Sequence, residues 1–168
     1  MPGPWTSSAF VNQPAPPPSG AGSQDLPFVS VLVPVRNEAE WIEGCLQHIL
    51  RQDYPAHRME VLVIDGSSTD GTQAIVRHMA AENPILKLVE NPGRIVPTGM
   101  NRGLALARGT VVVRVDGHTM VAEDYVKESV IVLERTGADV VGGAMAAVGE
   151  GYVAEAIALA HASPFGLG

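Results

Sequence analysis

Residues 59–72 read MEVLVIDGSSTDGT. Val61 to Ile64 is an unbroken apolar run, closed by Asp65 and followed by Gly, Ser, Thr and Asp. A short continuous apolar run bounded by turn residues is the pattern of a strand buried on both faces. Both-face burial is a property of parallel sheets, whose crossover helices cover the two sides. The polar stretch then reads as a turn leading into a helix, capped at Thr69 or Asp70. Asp65 stands where the apolar strand ends, so its carboxylate needs a partner. A structural role and a ligand-binding role weigh evenly there.

The same grammar repeats on either side. FVSVLVP (28–34), ILKLVE (85–90), TVVVRVD (110–116) and ADVVGGAM (138–145) read as further strands. Between them lie stretches of helical spacing. In EAEWIEGCLQHILRQ (38–52), Trp41, Cys45 and Ile49 fall four apart, with Ile42 and Leu46 beside them. In DGTQAIVRHMAAE (70–82), Ile75, Val76 and Met79 share a side. PTGMNRGLALAR (97–108) is opened by Pro97 and closed by Gly109, and AEDYVKESVIVLERTG (122–137) ends on Gly137. Alternating strand and helix specify an α/β fold, a mostly parallel sheet with helices on both faces. Ligands of such sheets bind at the carboxyl ends of the strands, where strand order reverses. Those ends here carry Pro34 to Glu38, Asp65 to Ser68, and Asp116 to His118.

Composition narrows the classes. The chain has 168 residues, 46% hydrophobic and 17% charged, which fits one globular domain. A net charge of −7 argues against a nucleic-acid partner. The single cysteine, Cys45, excludes a disulfide framework and reads as a small buried apolar residue. No run of 18 uncharged apolar residues forms a membrane span, and no signal-peptide pattern opens the chain, so a cytoplasmic location is the default expectation. Residues 1–27 are rich in Pro, Ser and Gly and read as a disordered tail, with 28–168 as the folded domain. The chain stops on Gly168 with no closing element, so the domain is expected to be incomplete.

Three motifs bear on chemistry. The P-loop pattern is absent; Gly149, Gly151 and Ala154 form a G-x-G-x-x-A, but after the fifth expected strand, with no acidic residue at the required distance. In RNEAE, Asn37 and Glu40 have the spacing of a capping box, and a helix start at a strand's carboxyl end would offer free N–H groups to a ligand. In RVDGH (114–118), Asp116 and His118 lie two apart across a tight turn. They could be an ordinary turn, or a carboxylate and an imidazole converging on a divalent ion that bridges phosphate oxygens. The other histidines read as structural.

Taken together, VSVLVPVRNEAEWIEGCLQHILRQDYP, MEVLVIDGSSTDGT and TGMNRGLALARGTVVVRVDGHT resemble the family 2 glycosyltransferases of the GT-A fold. NPGRIVPTGMNRGL and RVDGHT in particular resemble the bacterial exopolysaccharide enzymes of the succinoglycan-biosynthesis type. The resemblance implies a nucleotide-sugar-binding sandwich. Pro34, Val35, Arg36 and Glu38 match the family's Pro-x-Tyr-Asn-Glu segment along the base and ribose, with Arg36 in place of Tyr. Asp65 matches the residue that hydrogen-bonds the base, and Asn101 one that faces the nucleotide, with Met100 where an Arg is common. Asp116 and His118 match the D-x-D motif, His118 replacing its last Asp, and imply a divalent cation, Mn2+ or Mg2+.

The implied reaction is inverting transfer of a sugar from a nucleotide-diphosphate sugar, a UDP-sugar first, to a saccharide or lipid-linked acceptor. The resemblance places the general base in an acceptor-binding half beyond Gly168, and membrane attachment, at the inner face of the membrane, also in a region beyond this chain. Two other readings stay open: a non-catalytic nucleotide-sugar-binding module, and a phosphoryl- or nucleotidyl-transfer enzyme using Asp65 or Asp116.

Overall fold

The computed structural model describes residues 26–143. Four strands, Val29–Val35 (β1), Met59–Asp65 (β2), Leu86–Glu90 (β3) and Val111–Arg114 (β4), form one all-parallel sheet in the order β3-β2-β1-β4. The helices are Ile42–Leu50 (α1), Thr72–Glu82 (α2), Val96–Leu106 (α3) and Tyr125–Thr136 (α4), with a turn of 3-10 helix at Ala56–Arg58. The chain steps from β1 to β2 to β3 in one direction, then returns past β1 to lay down β4. Right-handed crossovers put α1 and α2 on one face and α3 on the other. The reversal falls between β1 and β4, and a crevice opens at their carboxyl ends.

The core follows from the two-residue period of the strands. Leu32, Leu62 and Ile64 form one buried cluster, against which Val89, Met100 and Ala107 pack. Gly103 lets α3 come close: a Cβ there would lie 2.7 Å from Ile64 Cδ1. Val31, Val33, Val61 and Val63 alternate to the opposite face and are also fully buried. On α1 the buried stripe is Ile42, Cys45, Leu46 and Ile49. Burial of each such side chain stabilises the fold by roughly 1.5–3 kcal/mol.

One charged residue is built into the sheet. Glu60, 1% exposed, accepts hydrogen bonds from Ser30 Oγ at 2.8 Å, the Arg108 N–H at 2.9 Å and Arg108 Nε at 3.0 Å, with Lys87 Nζ at 3.4 Å. Ser30 Oγ in turn accepts the Gly109 N–H. Burial alone would raise the Glu60 carboxyl's pKa, but the Arg108 N–H, the Ser30 hydroxyl and the Arg108 guanidinium hold it below the usual glutamate value.

Several sequence expectations are corrected. The first helix begins at Ile42, four residues later than its spacing suggests, and Trp41 is 46% exposed rather than part of the stripe. Asn37 is no helix cap; it turns with φ 57° and bonds to another loop. Residues 138–143 form no strand, and Val140 is 84% exposed. The tail up to residue 25, the rest of that expected strand, the Gly149–Ala154 motif and His161 lie outside the described residues. The chain divides into two compact units after Glu123. The second contains α4, closed by Gly137 in the left-handed conformation. No helix among the described residues is long and apolar enough to cross a membrane.

Candidate functional site

The loops after β1, β2 and β3 each turn on a non-glycine residue in the left-handed region: Asn37 (φ 57°), Ser67 (φ 60°) and Arg94 (φ 61°). Such positions cost on the order of 1–3 kcal/mol each and gather where loops are held for a ligand. Here they are held by one another. Asn37 N–H donates to Ser68 Oγ at 2.8 Å, and Thr69 N–H to Asn37 Oδ1 at 2.9 Å. Glu38 N–H donates to Thr72 Oγ1 and Ala39 N–H to Asp70 Oδ2, both at 2.9 Å. The Ser/Thr/Asp-rich loop therefore takes up the N–H groups of residues 37–39. They are not free for an anion, against the expectation from RNEAE. The Thr72 hydroxyl and the Ala39 N–H also hold the Asp70 carboxyl below its usual pKa.

Asp65 lies at the end of β2 and is 1% exposed. Its Oδ2 accepts from Ser68 N–H at 3.0 Å and Gln73 Nε2 at 2.6 Å. Its Oδ1 is buried with no hydrogen-bond partner. A buried carboxylate oxygen without a donor is costly and points to a group that the loop is shaped to receive.

A cavity of about 250 Å³ opens at the crevice between β1 and β4. Pro34, Val35, Ile64, Ile95 and Val96 give it an apolar wall, and Arg36, Arg94, Arg114, Glu38, Asp116 and His118 give it charge. Of the residues singled out from the sequence, Pro34, Val35, Arg36, Glu38, Asp116 and His118 meet here. Asp65 lies behind the wall, between the lining residues Ile64 and Gly66. Asn101 is exposed on α3 and does not line the cavity.

Asp116 to Thr119 is a β-turn, with the Thr119 N–H on the Asp116 carbonyl at 2.9 Å. Gly117 lets it pack down: a Cβ there would fall 2.7 Å from Val35 Cγ1 and 3.4 Å from Glu38 Cγ. Beneath it, the Cys45 thiol reaches the Asp116 carbonyl at 3.5 Å, and burial pushes that thiol up to about 12. Arg114 Nε donates to Asp116 Oδ1 at 2.9 Å, and His118 Nδ1 stands 3.2 Å from Glu38 Oε1. Both candidate ligands thus have a partner of complementary chemistry. Among the described residues, no three His, Cys, Asp or Glu side chains stand close enough to hold a metal ion. One carboxylate and one imidazole suit a divalent cation only as an open site, completed by oxygens from another molecule.

The sequence reading assigned no site role to residues 91–96. Asn91 is 4% exposed and organises this loop: its Nδ2 donates to the Ile95 carbonyl, its Oδ1 accepts from Thr98 Oγ1, and its N–H donates to the Asp65 carbonyl. The loop presents Arg94, whose carbonyl accepts from Arg36 Nη1 at 3.4 Å. Asn-Pro-Gly at a third strand's carboxyl end was the available signal.

Known proteins are similar to this chain in sequence and in fold. Glycosyltransferase AglE of Haloferax volcanii is 37% identical over 119 residues, 70% of this chain and 39% of that protein. Succinoglycan biosynthesis protein ExoA of Rhizobium meliloti is 36% identical over 140 residues, 82% of this chain and 42% of that protein. Among solved structures, the mannosyltransferase PcManGT from Pyrobaculum calidifontis, in complex with GDP-Man and Mn2+, superposes with a TM-score of 0.62 at 37% identity, covering 71% of this chain and 36% of that one. S. aureus TarS in complex with UDP shares the fold at TM-score 0.57 and 24% identity, covering 71% of this chain and 38% of that one. The chain thus spans about two fifths of the length of these relatives. The glycosyl transferase family 2 model matches residues 30–161, most of the chain, and with the GT-A architecture of its neighbours this protein belongs to that family.

Proposed function

We propose that this chain supplies the donor-binding part of an inverting glycosyltransferase that takes a nucleotide-diphosphate sugar and delivers the sugar to a saccharide or lipid-linked acceptor. The observation that carries the reading is the cavity at the β1/β4 crevice, with an apolar wall on one side and Arg36, Arg94, Arg114, Asp116 and His118 around it. In a protein of net charge −7, a cavity whose three arginines outnumber the carboxylates of Glu38 and Asp116 favours an anion there. The apolar residues Ile95 and Val96, both well exposed, offer a surface for a nucleobase. Asp65 Oδ1, buried without a donor beside the lining residues Ile64 and Gly66, is the acceptor we assign to a base N–H.

Asp116 and His118 would hold a divalent ion, Mn2+ or Mg2+, whose contribution is to offset charge on the departing nucleoside diphosphate. Arg36 and Arg94 act beside it by their fixed positive charge, which stabilises the same leaving group without reorganisation. Attack by the acceptor hydroxyl on the anomeric carbon breaks the bond to the diphosphate, and its proton passes to a base that we place outside the described residues. The domain limits, with a tail up to residue 27 and a sugar-nucleotide-binding domain from 28, belong to this proposal, as does location at the inner face of a membrane. An aspartyl-phosphate enzyme working through Asp65 is disfavoured: that carboxylate is buried and tied to Ser68 and Gln73.

The test is calorimetric titration of the 168-residue chain with UDP and GDP, each with Mn2+ and with chelator. Saturable binding of one nucleotide that requires Mn2+ supports the reading and names the base. If neither binds under any condition, the donor-site reading fails.

A further inference from the structure

The contact between Glu38 and His118 joins residues 80 positions apart, and the two are unequal. Glu38 is the fixed member. Its N–H is taken by Thr72 Oγ1, its carbonyl accepts from the N–H groups of Trp41 and Ile42, and its side chain is 23% exposed. Its Cγ lies 3.4 Å from where a Gly117 Cβ would stand, so it is packed against the turn that carries His118. His118, by contrast, is 60% exposed, and among the described residues its ring makes no other hydrogen bond or ion pair. Among the described residues no group of three His, Cys, Asp or Glu side chains converges here, and the Glu38 carboxylate faces the imidazole.

The consequence is a choice of tautomer. A neutral imidazole carries one N–H and one lone pair. With the lone pair on Nδ1, two acceptors would face each other at 3.2 Å; with the proton there, the pair is a hydrogen bond. We propose that Glu38 is a positioning residue for His118: it accepts a hydrogen bond from Nδ1–H and so presents Nε2, with its lone pair, to the divalent cation of the donor site. The proposal rests on the donor-site reading given above and assigns Glu38 a task other than lining the base and ribose. Partners of this kind fix ring orientation and tautomer in metal sites generally.

The test has two readouts on the 168-residue chain. The first is the His118 tautomer in metal-free, 15N-histidine-labelled protein at about pH 8.5, where ordinary imidazoles are neutral, with the signal assigned through His118→Asn. The Nδ1–H form is expected in the wild type and in Glu38→Gln, whose amide oxygen still accepts. In Glu38→Ala the Nε2–H form favoured by free imidazole should take over. The second is Mn2+ affinity in the presence of UDP or GDP, expected to fall about 10- to 100-fold in Glu38→Ala and to recover in Glu38→Gln. A wild-type His118 in the Nε2–H form overturns the proposal. So does a Glu38→Ala protein that binds Mn2+ like the wild type, whatever its tautomer. Failure of the donor-site reading looks different: the wild type itself then binds no Mn2+–nucleotide.

Discussion

The turn at Asp116–Thr119 depends on a hydrogen atom where any other residue has a Cβ. Alanine at position 117 would bring that carbon to 2.7 Å from Val35 Cγ1, against about 3.5–4.0 Å for carbon atoms at contact. Val35 cannot easily yield, because it sits in β1, is buried, and is stiff at χ1. The turn must therefore retreat by roughly 1 Å. Overpacking of this kind costs about 1–3 kcal/mol. It also carries Asp116 and His118 away from the cavity, and a shift of ~1 Å in a positioned group is enough to cost on the order of 100-fold in a reaction. Gly117→Ala should lower the urea midpoint and weaken Mn2+–nucleotide binding together. Val35→Ala removes the obstructing methyl, so the double variant should recover binding and show a stability coupling of about 0.5–3 kcal/mol. The measurement is a four-member cycle by urea unfolding and calorimetry. Gly117→Ala that matches the wild type in both, or a cycle with no coupling, would refute the steric reasoning.

Three further outcomes are expected. Glu60→Gln should cost about 1–2 kcal/mol at neutral pH, less than buried charge-assisted bonds often give, because Arg108 and Lys87 are more than half exposed. Since the folded state holds the Glu60 carboxyl below its ordinary pKa, that contribution is complete above the unfolded value and disappears as the pH falls through the folded one. Urea curves at several pH values should show the gap between variant and wild type closing in acid, and a constant gap would contradict the assignment. Arg114→Gln should raise Mn2+ affinity in the absence of nucleotide by up to about fivefold, since an exposed ion pair is worth up to ~1 kcal/mol; weaker binding by electron paramagnetic resonance would show that Arg114 does not compete for Asp116. Cys45, buried and with its thiol pushed up to about 12, should resist iodoacetamide in the native protein and react once urea unfolds it.

The alternation of apolar runs and helical spacing made four strands and their helices readable from sequence: β1 and β2 are buried along their whole length, and the edge strands β3 and β4, though partly exposed, keep short β-branched or apolar runs between helical stretches. The edge that carries the candidate site was readable for the same reason: in a parallel sheet the carboxyl ends of all strands lie along one edge, while the adjacency of β1 and β4 across the switch point is seen only in the structure. Pro34 to Glu38 and Asp116 to His118 could be named on that ground. Contacts between loops were not readable. Asn37 looks like a cap because Glu40 lies three residues on, yet its side chain meets Thr69, a partner that only the fold supplies. The same holds for Glu38 with His118, and for Asn91 with Ile95 and Thr98. The expected strand at 138–145 failed, in its described part, because β-branched residues alone do not make a strand where they bury little: Val140 is 84% exposed.

Asp116 is the residue on which the proposed donor site turns, and one comparison decides it. Mn2+-dependent binding of the preferred nucleoside diphosphate should be measured by calorimetry for the wild type and for Asp116→Ala. The expected result is saturable binding by the wild type that is lost on chelation, and at least a tenfold weaker affinity, about 1.4 kcal/mol, in an Asp116→Ala protein with an unchanged unfolding midpoint. Metal-dependent binding that survives at full strength in Asp116→Ala would contradict the placement of the donor site at the end of β4.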